Sequence, residues 1–165
     1  MPARGRGFTL VELLVVMTLL ASLLGLALLS LGSAGPARAL GPEAERLALL
    51  IEVLAEDAVL DNREYGLWLG RHGYHALRYD ERQARWLPTG RDARRLPEGI
   101  ELALRLDAQA LPLAEQPPAT PEPQLRLDGD GETAAFRVEL RSVDGAAWAV
   151  VGDGLSMPRA APVTP

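Results

Sequence analysis

The chain has 165 residues, 17 of them Lys or Arg against 22 Asp or Glu, for a formal net charge of −5, and it has no cysteine. The acidic balance argues against a general nucleic-acid binder, and the missing cysteine excludes disulfides and thiolate metal sites. Beyond an N-terminal apolar segment, the length suits one domain and is short for two.

Met1 to Gly7 is short and basic, with Arg4 and Arg6. An apolar run follows from Phe8 to Leu31, broken by the carboxylate of Glu12. At about 1.5 Å per residue, a helix over 8–31 would be roughly 36 Å long, enough to span a bilayer with some tilt. A carboxylate there costs roughly 2.5–3.5 kcal/mol on insertion scales, so Glu12 is a functional candidate whose partner must be sought. A secretory signal has a shorter apolar core and no place for a glutamate. A plain anchor leaves Glu12 unexplained, and a run this apolar does not suit a buried core helix. The arginines at the N-terminal end set that end in the cytoplasm, so the bulk of the chain faces outward.

Gly32 to Pro36 and Gly41-Pro42 are helix-disfavouring and predict a kink or a melted joint. An amphipathic helix is expected over 42–60. Pro42 suits its first turn, Glu43 and Glu45 suit its positive end, and Leu47, Leu50, Ile51, Leu54 and Ala58 form one stripe. Asp61-Asn62 ends it. Short strands follow at 64–69, 74–79 and 84–87, separated by Gly- and Asp-rich turns, as in a meander of hairpins. Another strand runs from Ile100 to Leu106, with Ile100, Leu102, Leu104 and Leu106 on one face. Residues 107–123 hold Pro112, Pro117, Pro118, Pro121 and Pro123 and predict a loop or flexible insert. Further strands are expected at 124–127, 135–140 and 147–151, and the proline-rich tail from Pro158 is expected to fray. The fold class is therefore α+β: a long N-terminal helix, transmembrane in its first half and amphipathic in its second, packed on an antiparallel β-domain of two sheets over 64–157.

No enzyme is visible, no cofactor or metal is called for, and no small-molecule substrate is implied. His72 and His75 lie on or beside a turn without a third ligand and read as surface histidines. Asp128-Gly-Asp-Gly-Glu132 alternates oxygen ligands with glycines. It lacks the full twelve-residue calcium loop, so a hairpin turn is the better reading. Arg82, Arg85, Arg91, Arg94 and Arg95 surround Trp86, a pattern that suits single-stranded DNA. Glu81, Asp92 and Glu98 dilute the cluster, so a solvated face or a subunit contact is favoured.

The junction Gly7-Phe8-Thr-Leu-Val-Glu12 resembles the processing site of type IV prepilin-like proteins. Over 44–100 the chain is similar to the type II secretion protein H family of minor pseudopilins. That resemblance is carried by Ala44-Glu-Arg-Leu47, Asp57-Ala-Val59, Asn62-Arg-Glu-Tyr-Gly-Leu67, Gly73-Tyr74, Tyr79-Asp80, Trp86-Leu-Pro88 and Arg95-Leu-Pro-Glu-Gly-Ile100. It implies removal of residues 1–7 by a prepilin peptidase and methyltransferase, with cleavage between Gly7 and Phe8 and N-methylation of Phe8. It also implies a role for Glu12 in subunit assembly, paired with the N-terminal amine of a neighbour. In a low-dielectric bundle, that amine would turn an expensive lone charge into a compensated pair. The implied setting is the inner membrane of a Gram-negative bacterium, crossed once by residues 8–31, with 32–165 as a periplasmic head. The implied partners are other minor and major pseudopilins, and the implied role is to initiate or cap a filament that exports folded proteins. A minor type IV pilin that binds DNA through Arg82–Arg95 is the alternative.

Overall fold

A computed structural model of the chain describes residues 10–32, 35–90 and 93–164. The chain divides into two compact units, Met1–Gly35 and Pro36–Pro165.

The first unit contains helix α1, Leu10–Gly32. Leucine and other good helix formers dominate it, and proline is absent. The Thr18 and Ser22 hydroxyls are folded back on the backbone. The Thr18 hydroxyl lies 2.8 Å from the Leu14 carbonyl and 2.9 Å from that of Val15, and the Ser22 hydroxyl donates to Thr18 O at 2.8 Å. Such bonds let hydroxyls sit on an apolar helix without unmet polar groups. Among the described residues no helix is long and apolar enough to cross a membrane. The span expected over 8–31 takes in Phe8, Thr9 and side chains beyond Leu24, which lie outside them.

The second unit contains helix α2, Pro36–Asp61, and ten strands: β1 Tyr65–Gly70, β2 Gly73–Asp80, β3 Arg85–Pro88, β4 Arg94–Arg95, β5 Ile100–Leu106, β6 Gln109–Leu111, β7 Leu125–Leu127, β8 Phe136–Ser142, β9 Ala147–Gly152 and β10 Arg159–Pro162. They make two antiparallel five-stranded sheets. The first runs β3-β2-β1-β7, with β4 also paired to β2, and the second runs β10-β9-β8-β5-β6.

The second helix begins at Pro36, not at Pro42 as expected, and carries Pro42 inside it. An interior proline costs about 3 kcal/mol through a lost N–H and a crowded carbonyl. The early turns offset this by packing. Leu40 is fully buried, and a Cβ on Gly41 would lie 3.1 Å from Cζ2 of Trp148. The helix approaches the indole this closely because residue 41 has no side chain. Leu47, Ile51, Leu54 and Ala58 are buried, extended toward the N-terminus by Leu40 and Ala44, while Leu50 is only half-buried. These side chains meet Tyr65, Leu67, Leu69, Leu125 and Leu127 of the first sheet and Leu104, Phe136, Val138, Leu140 and Val150 of the second in one core. In the second sheet, Leu102, Leu104 and Leu106 stand opposite Leu140, Val138 and Phe136.

Strand β1 is buried along its whole length. Tyr65, Leu67 and Leu69 face the core, so Gly66, Trp68 and Gly70 face the other side. The proline-rich segment covers that side and is not a loose insert. It contains β6, and its remainder straps across β1. The Arg71 N–H donates to Ala114 O at 2.8 Å, and Pro123 sits on Gly66, where a Cβ would be 2.5 Å from the ring. The Gln124 side-chain amide accepts from Leu69 N at 2.8 Å and donates to Leu69 O at 3.0 Å. It thereby continues the β7 ladder past Pro123, which has no N–H to offer. A proline-rich chain has little conformational freedom to lose, so ordering it costs little.

The tail does not fray. Residues 159–162 pair with β9, and Val163 N donates to Ala147 O at 2.9 Å. Its small residues fit an edge strand, and Pro162 is tolerated there because an edge leaves one side unpaired.

Gln124→Ala leaves two buried backbone groups of Leu69 unpaired and is expected to cost the 36–165 fragment about 1–3 kcal/mol. Leu54→Ala, in the core, should cost about 2–5 kcal/mol. Urea unfolding of both variants checks the order, and a Gln124→Ala fragment as stable as wild type would show that the strap is not held by this bond.

Candidate assembly surfaces

Gly7 and Phe8, the expected cleavage and methylation positions, lie outside the described residues. Glu12 stands in the first turn of α1, where a carboxylate complements the positive end of the helix. Every described side chain from Leu10 to Leu24 is exposed, with Leu10 at 82% and Val11 at 71%. Met17, Leu19, Leu20, Leu23 and Leu24 are all more than half or half exposed. A helix that is apolar on every side is built to be covered, by lipid or by other helices. Glu12 is the one ionisable side chain in α1.

In the second unit, a charged contact ties α2 to the first sheet. Glu43 is buried and is gripped by Arg94 of β4. Arg94 Nε–H donates to Glu43 Oε2 at 3.1 Å, and its Nη2 donates to Oε1. The two-pronged geometry is the strong form of this pair. Gly73 permits it, since a Cβ there would lie 2.4 Å from Arg94 O. Beside the pair, the Tyr74 hydroxyl is buried without a hydrogen-bond partner among the described residues. Burial, then the neighbouring Glu43 charge, push its pKa up to about 12. Sequence reasoning placed Glu43 at a helix start. The usable signal was its position four residues before Leu47, on the apolar stripe and not off it.

Among the described residues, the arginines around Trp86 do not gather into one binding face. Arg94 is taken by Glu43, and Arg85 Nη2 donates to Gln83. Trp86 meets the edge of Tyr79 at 5.4 Å between ring centroids, and the Arg126 guanidinium lies over its ring at 5.7 Å. Arg91 lies outside the described residues. An aromatic platform for bases needs a free ring face, and here one face carries Arg126 of β7.

His72 is half exposed and lies 3.0 Å from Glu115, which also meets Arg71 Nε at 3.2 Å. Both contacts are solvated and contribute little stability. They sit where the proline-rich strap crosses the β1–β2 turn. His75 is partly exposed. It packs edge-on against Trp68 at 5.3 Å, and burial lowers its pKa. Among the described residues, no group of three or more His, Cys, Asp or Glu is placed to hold a metal ion. Asp128–Glu132 forms a turn in which Gly131 takes φ +83° and donates its N–H to Asp128 O at 3.0 Å. It joins β7 of the first sheet to β8 of the second, so it is a crossover and not a hairpin.

Residues 3–34 match the family described as the prokaryotic N-terminal methylation motif, and residues 43–156 match the family described as type II transport protein GspH. The chain is similar to type II secretion system protein H of Pseudomonas aeruginosa, at 52% identity over 162 residues, covering 93% of this chain and 94% of the relative. It is 30% identical over 108 residues to the protein of the same description from Aeromonas hydrophila, covering 63% of this chain and 59% of that one. Among solved structures, the minor pseudopilin EpsH from the type II secretion system of Vibrio cholerae aligns with a TM-score of 0.64 at 19% identity, covering 76% of this chain and 96% of that one. The solution structure of E. coli GspH aligns with a TM-score of 0.55 at 16% identity, covering 72% and 84%.

Tyr74 gives a pH prediction with a definite sign. Its phenol ionises near 10 when unfolded and at about 12 when folded. Between these values the unfolded chain has lost a proton that the native state keeps, so Tyr74's contribution is complete below pH 10 and falls as pH rises toward 12. Tyr74→Phe should flatten that part of the stability curve and leave neutral-pH stability unchanged or slightly higher, because an orphaned hydroxyl is removed. Ultraviolet phenol titration with chemical unfolding reads both, and an undiminished slope in the variant contradicts the assignment. Arg94→Ala strands the Glu43 carboxylate and should cost about 1–3 kcal/mol, less than a fully buried pair because Arg94 is partly solvated.

Proposed function

The chain belongs to the type II transport protein GspH family, and from that premise we propose that it is a minor pseudopilin of the type II secretion system whose two units divide the work. The first unit is the anchoring and assembly element. A prepilin peptidase removes residues 1–7 after Gly7, and the new amine of Phe8 is methylated. The apolar helix holds the subunit in the inner membrane before assembly, with the second unit in the periplasm. As helices pack into the filament, Glu12 pairs with the N-terminal amine of an adjacent pseudopilin. The subunit initiates or caps the filament, whose growth drives folded proteins toward the outer membrane.

The observation that carries this reading is a helix exposing apolar side chains on every described side with one carboxylate in its first turn. Lipid satisfies the aliphatic surface, and its headgroup boundary tolerates a terminal charge. A bundle of like helices satisfies the same surface and, through a neighbour's amine, the charge as well. That difference gives Glu12 a preference for the assembled state over the membrane-dissolved one. No catalytic residue is assigned, since the work of such a subunit is binding.

Intact-mass analysis of membrane-purified protein should give a chain starting at N-methylated Phe8, and Gly7→Val should block the cut. Glu12→Ala should still be cleaved and still fractionate with the inner membrane. Leaving a buried amine without its counter-charge costs about 3–5 kcal/mol, so association with partner pseudopilins should weaken on the order of a hundredfold or more. Glu12→Asp, with shorter reach, should fall between. Crosslinking of Glu12→Ala at wild-type yield, with secretion intact, would remove the pairing role.

A further inference from the structure

A groove opens between the C-terminal half of α2 and two loops of the second unit. Ile51, Ala55, Leu127 and Phe136 line it, and Leu155 and Met157 stand at its edge. It encloses about 170 Å³. That is below the roughly 300–1,000 Å³ of a small-molecule site and close to the cavity of about 150 Å³ that takes a benzene ring. The size suits one large apolar side chain.

The walls are fixed by their own hydrogen bonds. The Asp153 carboxylate accepts from Leu155 N–H at 3.0 Å, from Ser156 N–H at 2.7 Å and from the Ser156 hydroxyl at 3.1 Å. Those backbone donors favour its charged form and hold its pKa below the ordinary value. Gly154 takes φ +85°, and a Cβ there would lie 2.1 Å from Thr133 O. On the facing loop, the Thr133 hydroxyl donates to Arg126 O at 2.8 Å. This turn keeps Leu155 91% exposed and Met157 67% exposed. Apolar side chains presented by a rigid turn lose little further entropy when a partner covers them.

The rim supplies the second requirement. Glu52, Glu56, Asp128 and Glu132 surround the apolar floor, and among the described residues no basic side chain lines it. None of the four side chains takes an ion pair or hydrogen bond among the described residues. A negative rim without its own counter-charges favours a positive partner and disfavours an acidic one. We propose that this groove docks a segment of a neighbouring subunit in which one large apolar side chain is flanked by arginine or lysine. The flanking cations meet the four carboxylates while the anchor fills the space over Ile51 and Phe136. This deepens the assembly reading and rests on it for the partner's being a subunit.

The test uses the full chain in nonionic-detergent micelles and three fluorescent heptapeptides. One has a central phenylalanine flanked by arginines, one exchanges the phenylalanine for alanine, and one exchanges the arginines for glutamates. The arginine–phenylalanine peptide should bind, as read by anisotropy. The alanine-centred peptide should bind about tenfold more weakly, and the glutamate peptide not measurably. The Glu52→Gln/Glu56→Gln variant should lose about tenfold, and so should Met157→Asp, which alters only an exposed rim position. Binding that survives both variants, or that ignores the central residue, would place the peptide on the acidic surface at large and overturn the proposal. So would no binding at all. Self-association of the chain that Met157→Asp abolishes would assign the groove to a second copy and overturn the partner class. Glu12→Ala should leave peptide binding unchanged, so the groove and the helix-pairing reading fail separately.

Discussion

The second unit depends on one seam, the line along which α2 lies against both sheets. Leu40, Ala44, Leu47, Ile51, Leu54 and Ala58 supply one side, and aliphatic residues from both sheets supply the other. Both sheets bury their inner faces in a core that this helix shares with them. The seam also explains the two local costs in α2. Pro42 inside the helix and Gly41 beside it are poor helix residues, yet the helix is kept through both, because its early turns bury Leu40 and seat residue 41 on Trp148. The Glu43–Arg94 contact then fixes how the first sheet sits against that helix, at the expense of an orphaned Tyr74 hydroxyl.

The two units make opposite demands on solvent. Nearly all large apolar residues of the second unit are covered, apart from a few such as Leu49, Leu60, Val143, Leu155 and Met157. In α1 the described apolar side chains, Leu10 to Leu24, are all outside. A chain that completes one core and leaves a second apolar surface bare has had that surface set aside for something other than its own folding. Glu12, the one carboxylate in the sequence of α1, adds that the covering must tolerate, or reward, a negative charge at one depth. A neutral hydrocarbon cannot reward it, whereas a helix bundle that brings an amine can.

Much of this was legible in the sequence, and the misses share a cause. The alternation of Ile100, Leu102 and Leu104 gave β5, and the stripe from Leu47 to Ala58 gave the face of α2, because both patterns are periodic and local. The start of α2 was misread because proline and glycine at 41–42 argue locally for a break, while the reason to continue lies in Trp148, more than a hundred residues away. The strap over β1 was invisible for a similar reason. Prolines at 112–123 announce no regular structure, and the pairing is made by a side-chain amide, Gln124, in the place of a peptide group. The tail was expected to fray on composition, but a short edge strand needs only a neighbour with free donors and acceptors, and β9 provides one. For function, the proposal rests on Glu12, whose cost in an apolar run is visible without coordinates. The arginine cluster left a DNA-binding alternative open because a sequence shows charges and not their partners; Arg94 is taken by Glu43.

The central claim is that Glu12 meets a neighbour's amine in the assembled filament, and a distance measurement tests it directly. Filaments would be co-assembled from this chain carrying 13C at the Glu12 carboxylate and a partner pseudopilin carrying 15N at its N-terminal amine. Solid-state NMR should then show dipolar coupling at a separation of about 4 Å or less, the range of an ion pair. Assembled filaments with no coupling between the two labels would contradict the account.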